Sequence, residues 1–195
     1  PNLLILKIDK KEIVAGIVKD LKNPTLTDVQ SFPWVDNTLT HTLKDIHSTY
    51  KTDNVRILLR ESVAHVLSFA IENKDEIHKR SAIRQHLTKH LPEKINQLAW
   101  DYKHIDHFIV EEDGISKQVI QVIATDKQFI KSFQQALEKT QFKTQAIVPV
   151  STVLAQMTQN ELKPISMIHI DKNASRMILF RGIVLASEVT DTKNF

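Results

Sequence analysis

Leu3-Leu4-Ile5-Leu6-Lys7-Ile8-Asp9-Lys10-Lys11-Glu12-Ile13-Val14-Ala15-Gly16-Ile17-Val18 is the stretch that decides the fold. Residues 3–8 form one apolar run and residues 12–18 another, and the link Asp9-Lys10-Lys11 is short and polar. Two such runs so joined predict a β-hairpin whose first strand is buried. Near the other end of the chain the pattern returns. Ile170-Asp171-Lys172 follows the apolar run at 167–170 and leads through a polar turn to a second apolar run at 176–180. Each copy opens a hairpin, so the repeat is one of structure and not of three letters alone.

Working outward, residues 20–37 hold two prolines and many polar side chains and read as a loop. Leu39, Leu43, Ile46 and Tyr50 make one helical stripe. Residues 55–60 read as a strand, and from 63 to 71 Val63, Leu67, Phe69 and Ile71 alternate onto one face, which His65 shares. Ile83, Leu87 and Leu91 stand four apart on a second helix that Pro92 ends or bends. Strands follow at 97–110 and 117–124, joined by a turn at 111–114. A third helix begins at Thr125, where Thr125 and Gln128 have the form of a capping box, with Phe129, Phe133 and Ala136 as its stripe. Residues 145–150 are a strand, and Ser151 is placed to cap a short helix through Val153, Leu154 and Met157. Three strands, at 167–170, 176–180 and 183–189, finish the chain.

Composition narrows the chemistry. The chain has 195 residues, of which 42% are apolar and 25% charged, which is ordinary for a globular protein. No apolar run approaches the ~18 residues that a membrane span needs, and no secretory leader is visible. Cysteine is absent, which excludes disulfides, thiolate metal sites and a cysteine nucleophile. The 26 basic and 23 acidic residues are interspersed, giving a net charge of +3 without a block of like charge, so nucleic-acid binding finds little support. Glycine numbers only three, Gly16, Gly114 and Gly182. A backbone that cradles phosphate needs several glycines close together, and neither a Walker loop nor a G-x-G-x-x-G run can be written here.

Several side chains have two readings. Asp9 and Asp171 are either turn residues or groups near a phosphate, and Lys10, Lys11 and Lys172 either solvated turn lysines or anion contacts. His86 and His90 have the i, i+4 spacing of a metal pair, and His104 and His107 flank Asp106, but the sequence places no third ligand beside either pair. His65 and His169 lie in strands, where a hydrogen-bonded structural role is the common one. Trp100 reads as a core or interdomain anchor. Trp34, in the loop Ser31-Phe32-Pro33-Trp34, either packs under the sheet or joins Phe32 in a partner groove. No Ser-His-Asp arrangement or G-x-S-x-G elbow is present.

The serial order of motifs resembles the actin-like ATPase superfamily, and within it the PilM-type type IV pilus assembly proteins, relatives of FtsA and of the cytoplasmic part of GspL. The likeness rests on AIRQHLTKHLP (82–92), Trp100-Asp101-Tyr102, VIQVIATDK (119–127), ALEKTQFKTQAIVPVS (136–151) and MIHID (167–171). In that superfamily each half of an internal duplication opens with a strand-turn-strand phosphate hairpin. The resemblance implies an α/β, actin-like (ribonuclease H-like) domain, degenerate or truncated. Residues 1–60 and 145–195 would form its main domain. Residues 61–144 would form an inserted strand-helix-strand-strand-helix subdomain, with Ile83, Leu87, Leu91, Phe129 and Phe133 in one core.

The departures carry as much as the likeness. The family's hairpins follow Asp with Gly and a small hydroxyl residue, whereas here Lys10-Lys11 and Lys172-Asn173 take those places. The sequence ends at Phe195, shortly after the second hairpin, without a counterpart of the family's adenosine motif. Asp9, Lys10, Lys11, Asp171, Lys172 and Asn173 are thus the candidate phosphate contacts of a frame built for ATP and magnesium. No catalytic residue, no resident cofactor, no metal and no nucleotide hydrolysis are expected. The resemblance implies a cytoplasmic scaffold, peripheral to the inner face of the membrane, in a type IV pilus or type II secretion-like platform. Its relatives hold the N-terminal cytoplasmic tail of a single-pass membrane protein in a cleft between main and inserted domains, and self-association is a second mode. The alternative is an active nucleotide-binding ATPase or an FtsA-like division protein.

Overall fold

A computed structural model describes residues 2–35, 37–112, 115–160, 163–170, 174–180 and 183–191. In chain order the elements are β1 (Leu3–Ile8), β2 (Glu12–Val18), β3 (Leu26–Pro33), α1 (Leu39–Tyr50), β4 (Asn54–Leu59), β5 (Ala64–Glu72), α2 (Glu76–His90) and β6 (Leu98–Glu112). They continue with β7 (Ile115–Asp126), α3 (Lys127–Glu138), β8 (Lys143–Pro149), α4 (Val150–Met157), β9 (Ile165–Ile170), β10 (Ala174–Phe180) and β11 (Val184–Asp191). The chain divides into two compact units, Pro1–Ala64 with Thr125–Val150, and His65–Ala124 with Ser151–Phe195.

The first unit is a five-stranded sheet ordered β3-β2-β1-β4-β8. β1, β2 and β3 form an antiparallel meander, whereas β4 runs parallel to β1 and β8 parallel to β4. Parallel neighbours cannot be joined by a tight turn, so α1 lies in the crossover before β4 and α3 precedes β8. Side chains alternate across the sheet. Leu4, Leu6 and Ile8, Ile13, Ala15 and Ile17, and Val55, Ile57 and Leu59 supply one face of a single core. The expected α1 stripe (Leu39, Leu43, Ile46, Tyr50) joins that core, and so do Phe133, Ala136 and Leu137 of α3.

Three expectations change here. The stretch 20–37 contains β3, a strand whose side chains are mostly exposed and which therefore lacks the apolar alternation that marks a strand in sequence. The third helix is capped by Asp126, whose Oδ1 accepts from the Phe129 amide at 2.7 Å. Thr125 instead turns its hydroxyl to the Val63 carbonyl at 2.6 Å. Likewise Ser151 lies inside α4, one residue past its start, and does not cap it.

The second unit holds two three-stranded sheets, β5-β7-β6 and β11-β10-β9. α2 packs on the first of them through Ile83 and Leu87, against Ile71, Ile120 and Val122, with Leu91 and Trp100 half-buried around them. Asp75 caps α2 at its start by accepting from the His78 amide at 3.0 Å. Leu91 is extended (φ −107, ψ 142), as a residue before proline must be, and that ends the helix at Pro92. Val66, Ala155, Ile178 and Val184 form a second small core. The single core expected for Ile83, Leu87, Leu91, Phe129 and Phe133 is therefore corrected. The first three pack under α2, and the two phenylalanines belong to the five-stranded sheet. The cause is that α3 is the crossover helix of the main sheet, and its stripe faces α1.

The sequence repeat is a repeat of backbone. Ile8 pairs with Ile13 across the first hairpin and Ile170 with Ser175 across the second, the same five-residue offset. A third antiparallel strand follows each hairpin, and each of those pairings carries a register shift, near Ala15/Ile17 and near Leu179/Phe180. In the first meander the shift sits opposite Asp28, which takes φ 55. Tyr50 at the end of α1 serves it: its hydroxyl donates to the Ala15 carbonyl at 3.0 Å and also lies close to the Asp28 carbonyl.

Candidate functional site

Strand register builds the site. β4 runs parallel to β1 with Leu59 beside Ile8, so the residue after β4 arrives next to the residue after β1. Those residues are Arg60 and Asp9. The Arg60 amide donates to the Ile8 carbonyl at 2.9 Å. The Arg60 guanidinium donates to Asp9 Oδ2 at 2.6 Å, with the two side chains only 16% and 23% exposed. Ser62 donates to Asp9 Oδ1 at 2.6 Å, and the Lys10 amide donates to that same oxygen at 2.6 Å.

The Asp9 backbone is equally committed. Its amide donates to the Glu12 carbonyl at 2.9 Å and closes the hairpin turn. Its carbonyl accepts from the Trp34 indole at 2.9 Å. Asp9 is thus held by β4, by the hairpin and by the segment after β3. Charge-assisted contacts as short as these are the strong kind. A metal-bound phosphate at Asp9 would have to displace a guanidinium.

Lys10 and Lys11 form the two-residue tip of the hairpin and are exposed. Asp171, Lys172 and Asn173 lie outside the described residues, as do the side chains of Asp106, His107 and His169. Trp34 packs under the sheet. It is 5% exposed, its ring centroid is 6.3 Å from that of Phe129, and Phe32 packs half-buried against the same core. With Phe129, Trp34 also lines a small pocket of ≈180 Å³. Sequence reading missed Arg60 and Ser62. Their signal was a polar Arg-Glu-Ser run closing an apolar strand, and it gains meaning only with the parallel register.

α2 carries the other candidates. His86 stacks on Phe69 with centroids 3.6 Å apart, and His90 stacks on His86 at 4.2 Å. Rings stacked face to face do not turn their nitrogens to one point, so the i, i+4 pair is arranged for packing. Burial, helped by the nearby His90 and Lys89, holds the His86 imidazole below the usual histidine range. His65 sits 3.2 Å from Glu93, the structural role expected of a strand histidine. On the opposite flank of α2, Arg80 lies over Trp100 (5.4 Å) and Tyr102 (5.9 Å), and Glu76 bonds both Arg80 and the Tyr102 hydroxyl. Among the described residues no three His, Asp or Glu side chains gather as a metal shell.

A sheet of order 3-2-1-4-5 with a segment inserted after its fourth strand, followed by a second meander whose first hairpin has the same offset, decides the architecture. The fold is that of the actin-like ATPases. The chain is similar to a solved PilM–PilN type IV pilus biogenesis complex (TM-score 0.67, 14% identity, 97% of this chain and 61% of that one). It is similar to the cytoplasmic domain of EpsL, an inner membrane component of the type II secretion system of Vibrio cholerae (TM-score 0.66, 9% identity, 99% and 72%). A third likeness is to a Bacteroides thetaiotaomicron protein with actin-like ATPase fold and unknown function (TM-score 0.56, 13% identity, 97% and 70%). No protein-family model and no curated protein matches the sequence. The chain thus spans about three-fifths of the chain matched in the pilus complex. Within this actin-like frame Asp9 stands where β1 enters the first hairpin turn, and Arg60 pairs with it.

Proposed function

We propose that the chain is an adaptor in a pilus- or secretion-type assembly platform at the inner face of a bacterial membrane, where it binds the cytoplasmic tail of a membrane partner and does not turn over nucleotide. The observation that carries this reading is the Asp9–Arg60 pair. The hairpin aspartate of an ATPase frame is neutralised from within, and lysines stand where small residues would let a phosphate approach the backbone. The likeness of the fold to a protein solved with PilN and to the EpsL cytoplasmic domain supports the choice of platform. Among the described residues no helix is long and apolar enough to cross a membrane.

The test has two arms. The natural full-length protein is used to capture immobilised N-terminal tails of single-pass proteins encoded beside it, and retention of one tail is expected. ATP with magnesium is then added in a thermal-shift assay, and no stabilisation is expected. Failure to retain any tail removes the adaptor reading. A nucleotide-dependent shift that is lost in Asp9→Ala replaces it with the ATPase reading.

A further inference from the structure

The sheet β5-β7-β6 leaves β5 at its edge, and no strand pairs with the outer side of β5 among the described residues. Beside that edge runs a groove of ≈590 Å³, bounded by Phe69–Glu72 of β5 and by one flank of α2. The groove is basic. Lys74 follows β5, Lys79 and Lys89 come from α2, and Lys117 comes from β7. Glu72 is the acidic residue among those lining it, and Lys74 pairs with it at 2.5 Å.

Lysines on an edge strand ordinarily guard against sheet-to-sheet pairing. That role is filled from the strand itself. Here the lysines come from a helix, a neighbouring strand and a connecting loop, and all border one concavity. An exposed edge offers a row of backbone donors and acceptors, and the converging cations select the charge of what pairs with them. We propose that this groove binds an extended acidic segment of a soluble protein partner, which adds to β5 as a fourth strand and sets its carboxylates against Lys79 and Lys89. Pairing along Phe69–Glu72 spans about 13 Å of the segment at ~3.3 Å per residue.

Two other occupants fit less well. Cytoplasmic segments next to a membrane span are enriched in lysine and arginine, so a membrane partner's tail would meet like charge here. The groove is therefore a second docking surface, independent of tail binding. Single-stranded nucleic acid needs aromatic faces for stacking, and the rings at this groove, Phe69 and His86, already stack on each other.

Fluorescence anisotropy with the full chain tests the proposal. The probes are labelled peptides of about ten residues alternating Glu-Val, Gln-Val or Lys-Val, and an oligothymidine of similar length. The Glu-Val peptide is expected to bind in the submillimolar range, weakening as salt is raised. Lys79→Glu with Lys89→Glu should weaken it about tenfold or more, as expected when two exposed pairs become repulsive. If that variant loses its native circular dichroism, glutamine at both positions is substituted, with a smaller loss expected. N-methylation of alternate amides on the peptide should abolish binding, which separates strand pairing from charge alone. No binding of Glu-Val at millimolar concentration, equal binding of Gln-Val or of the methylated peptide, preference for oligothymidine, or indifference to the lysine substitutions each overturns the proposal.

Discussion

The five-stranded sheet and the β5-β7-β6 sheet are stabilised in different ways. The first buries apolar side chains from three strands and two helices in one continuous core, with Leu4, Leu6, Ile8, Ile13, Leu43, Ile46 and Phe133 completely enclosed. The second rests on a smaller core under a single helix, in which Ile83 and Leu87 of α2 pack against Ile71, Ile120 and Val122. That helix is also engaged sideways, through Phe69–His86–His90 stacking on one flank and Arg80–Trp100 on the other, and it leaves Ile77 exposed. The difference teaches where each part of the molecule places its side chains. The inner strands of one sheet turn their residues into a large core, and the other sheet rests on a small core and borders a groove with β5 and α2.

That contrast can be broken by mutation. Phe133→Ala should have the largest effect, about 3–5 kcal/mol of lost stability, with hydrogen-exchange protection falling across β1, β2, β4 and α1. Loss of protection at α2 and β5 instead would show that α3 belongs with the smaller sheet. Leu87→Ala should cost about 2–4 kcal/mol, with exchange rising in α2, β5 and β7 while β1 stays protected. Uniform loss throughout the chain would erase the distinction between the two cores.

Smaller changes sharpen it. Arg60→Ala leaves the half-buried Asp9 carboxylate with Ser62 and the Lys10 amide but without its counter-ion, and should cost about 1–3 kcal/mol in urea unfolding. An unchanged midpoint would mean that solvent takes over from the guanidinium. Tyr50→Phe removes the hydroxyl that serves the carbonyls at the β2–β3 shift, for about 1 kcal/mol, read as faster exchange along β3. The weakest handle is pH. The folded His86 imidazole binds its proton less readily than the unfolded one, so its contribution is complete above the unfolded histidine range. It is lost as pH falls through that range and levels off below the folded value. Exchange at α2 should therefore rise on going from about pH 7.5 to 5.5, and His86→Gln should flatten the response.

Much of this architecture was legible. The hairpin at Ile8-Asp9-Lys10, the α1 stripe, the end of α2 before Pro92 and the alternation of Leu67, Phe69 and Ile71 all follow from periodicity and backbone chemistry, because burial wrote them into the side chains. β3 was illegible for the same reason: it buries little, so nothing in its composition separates it from a loop. The start of α3 went to Asp126 and not to Thr125 because the Thr125 hydroxyl is taken by a carbonyl 62 residues earlier. Placing Phe129 and Phe133 of α3 in the core of the inserted subdomain erred because a stripe tells that a helix packs without telling on what. The site was half legible. Asp9 could be named from the repeat, but Arg60 lies 51 residues away and meets it only through parallel pairing.

The Asp9–Arg60 pair also bears on how such a frame changes over time. Small residues in place of Lys10 and Lys11 would open the hairpin backbone but leave the aspartate committed to Arg60. Removing Arg60 alone would free the carboxylate, at a cost in stability, beneath a turn still filled by lysines. Each single step thus changes only one half of the arrangement, and the second costs stability. The pair therefore ties two distant points of the chain together: a change at residue 9 or at residue 60, 51 positions apart in sequence, alters the setting of the other, so the first hairpin and the end of β4 are constrained to vary as one.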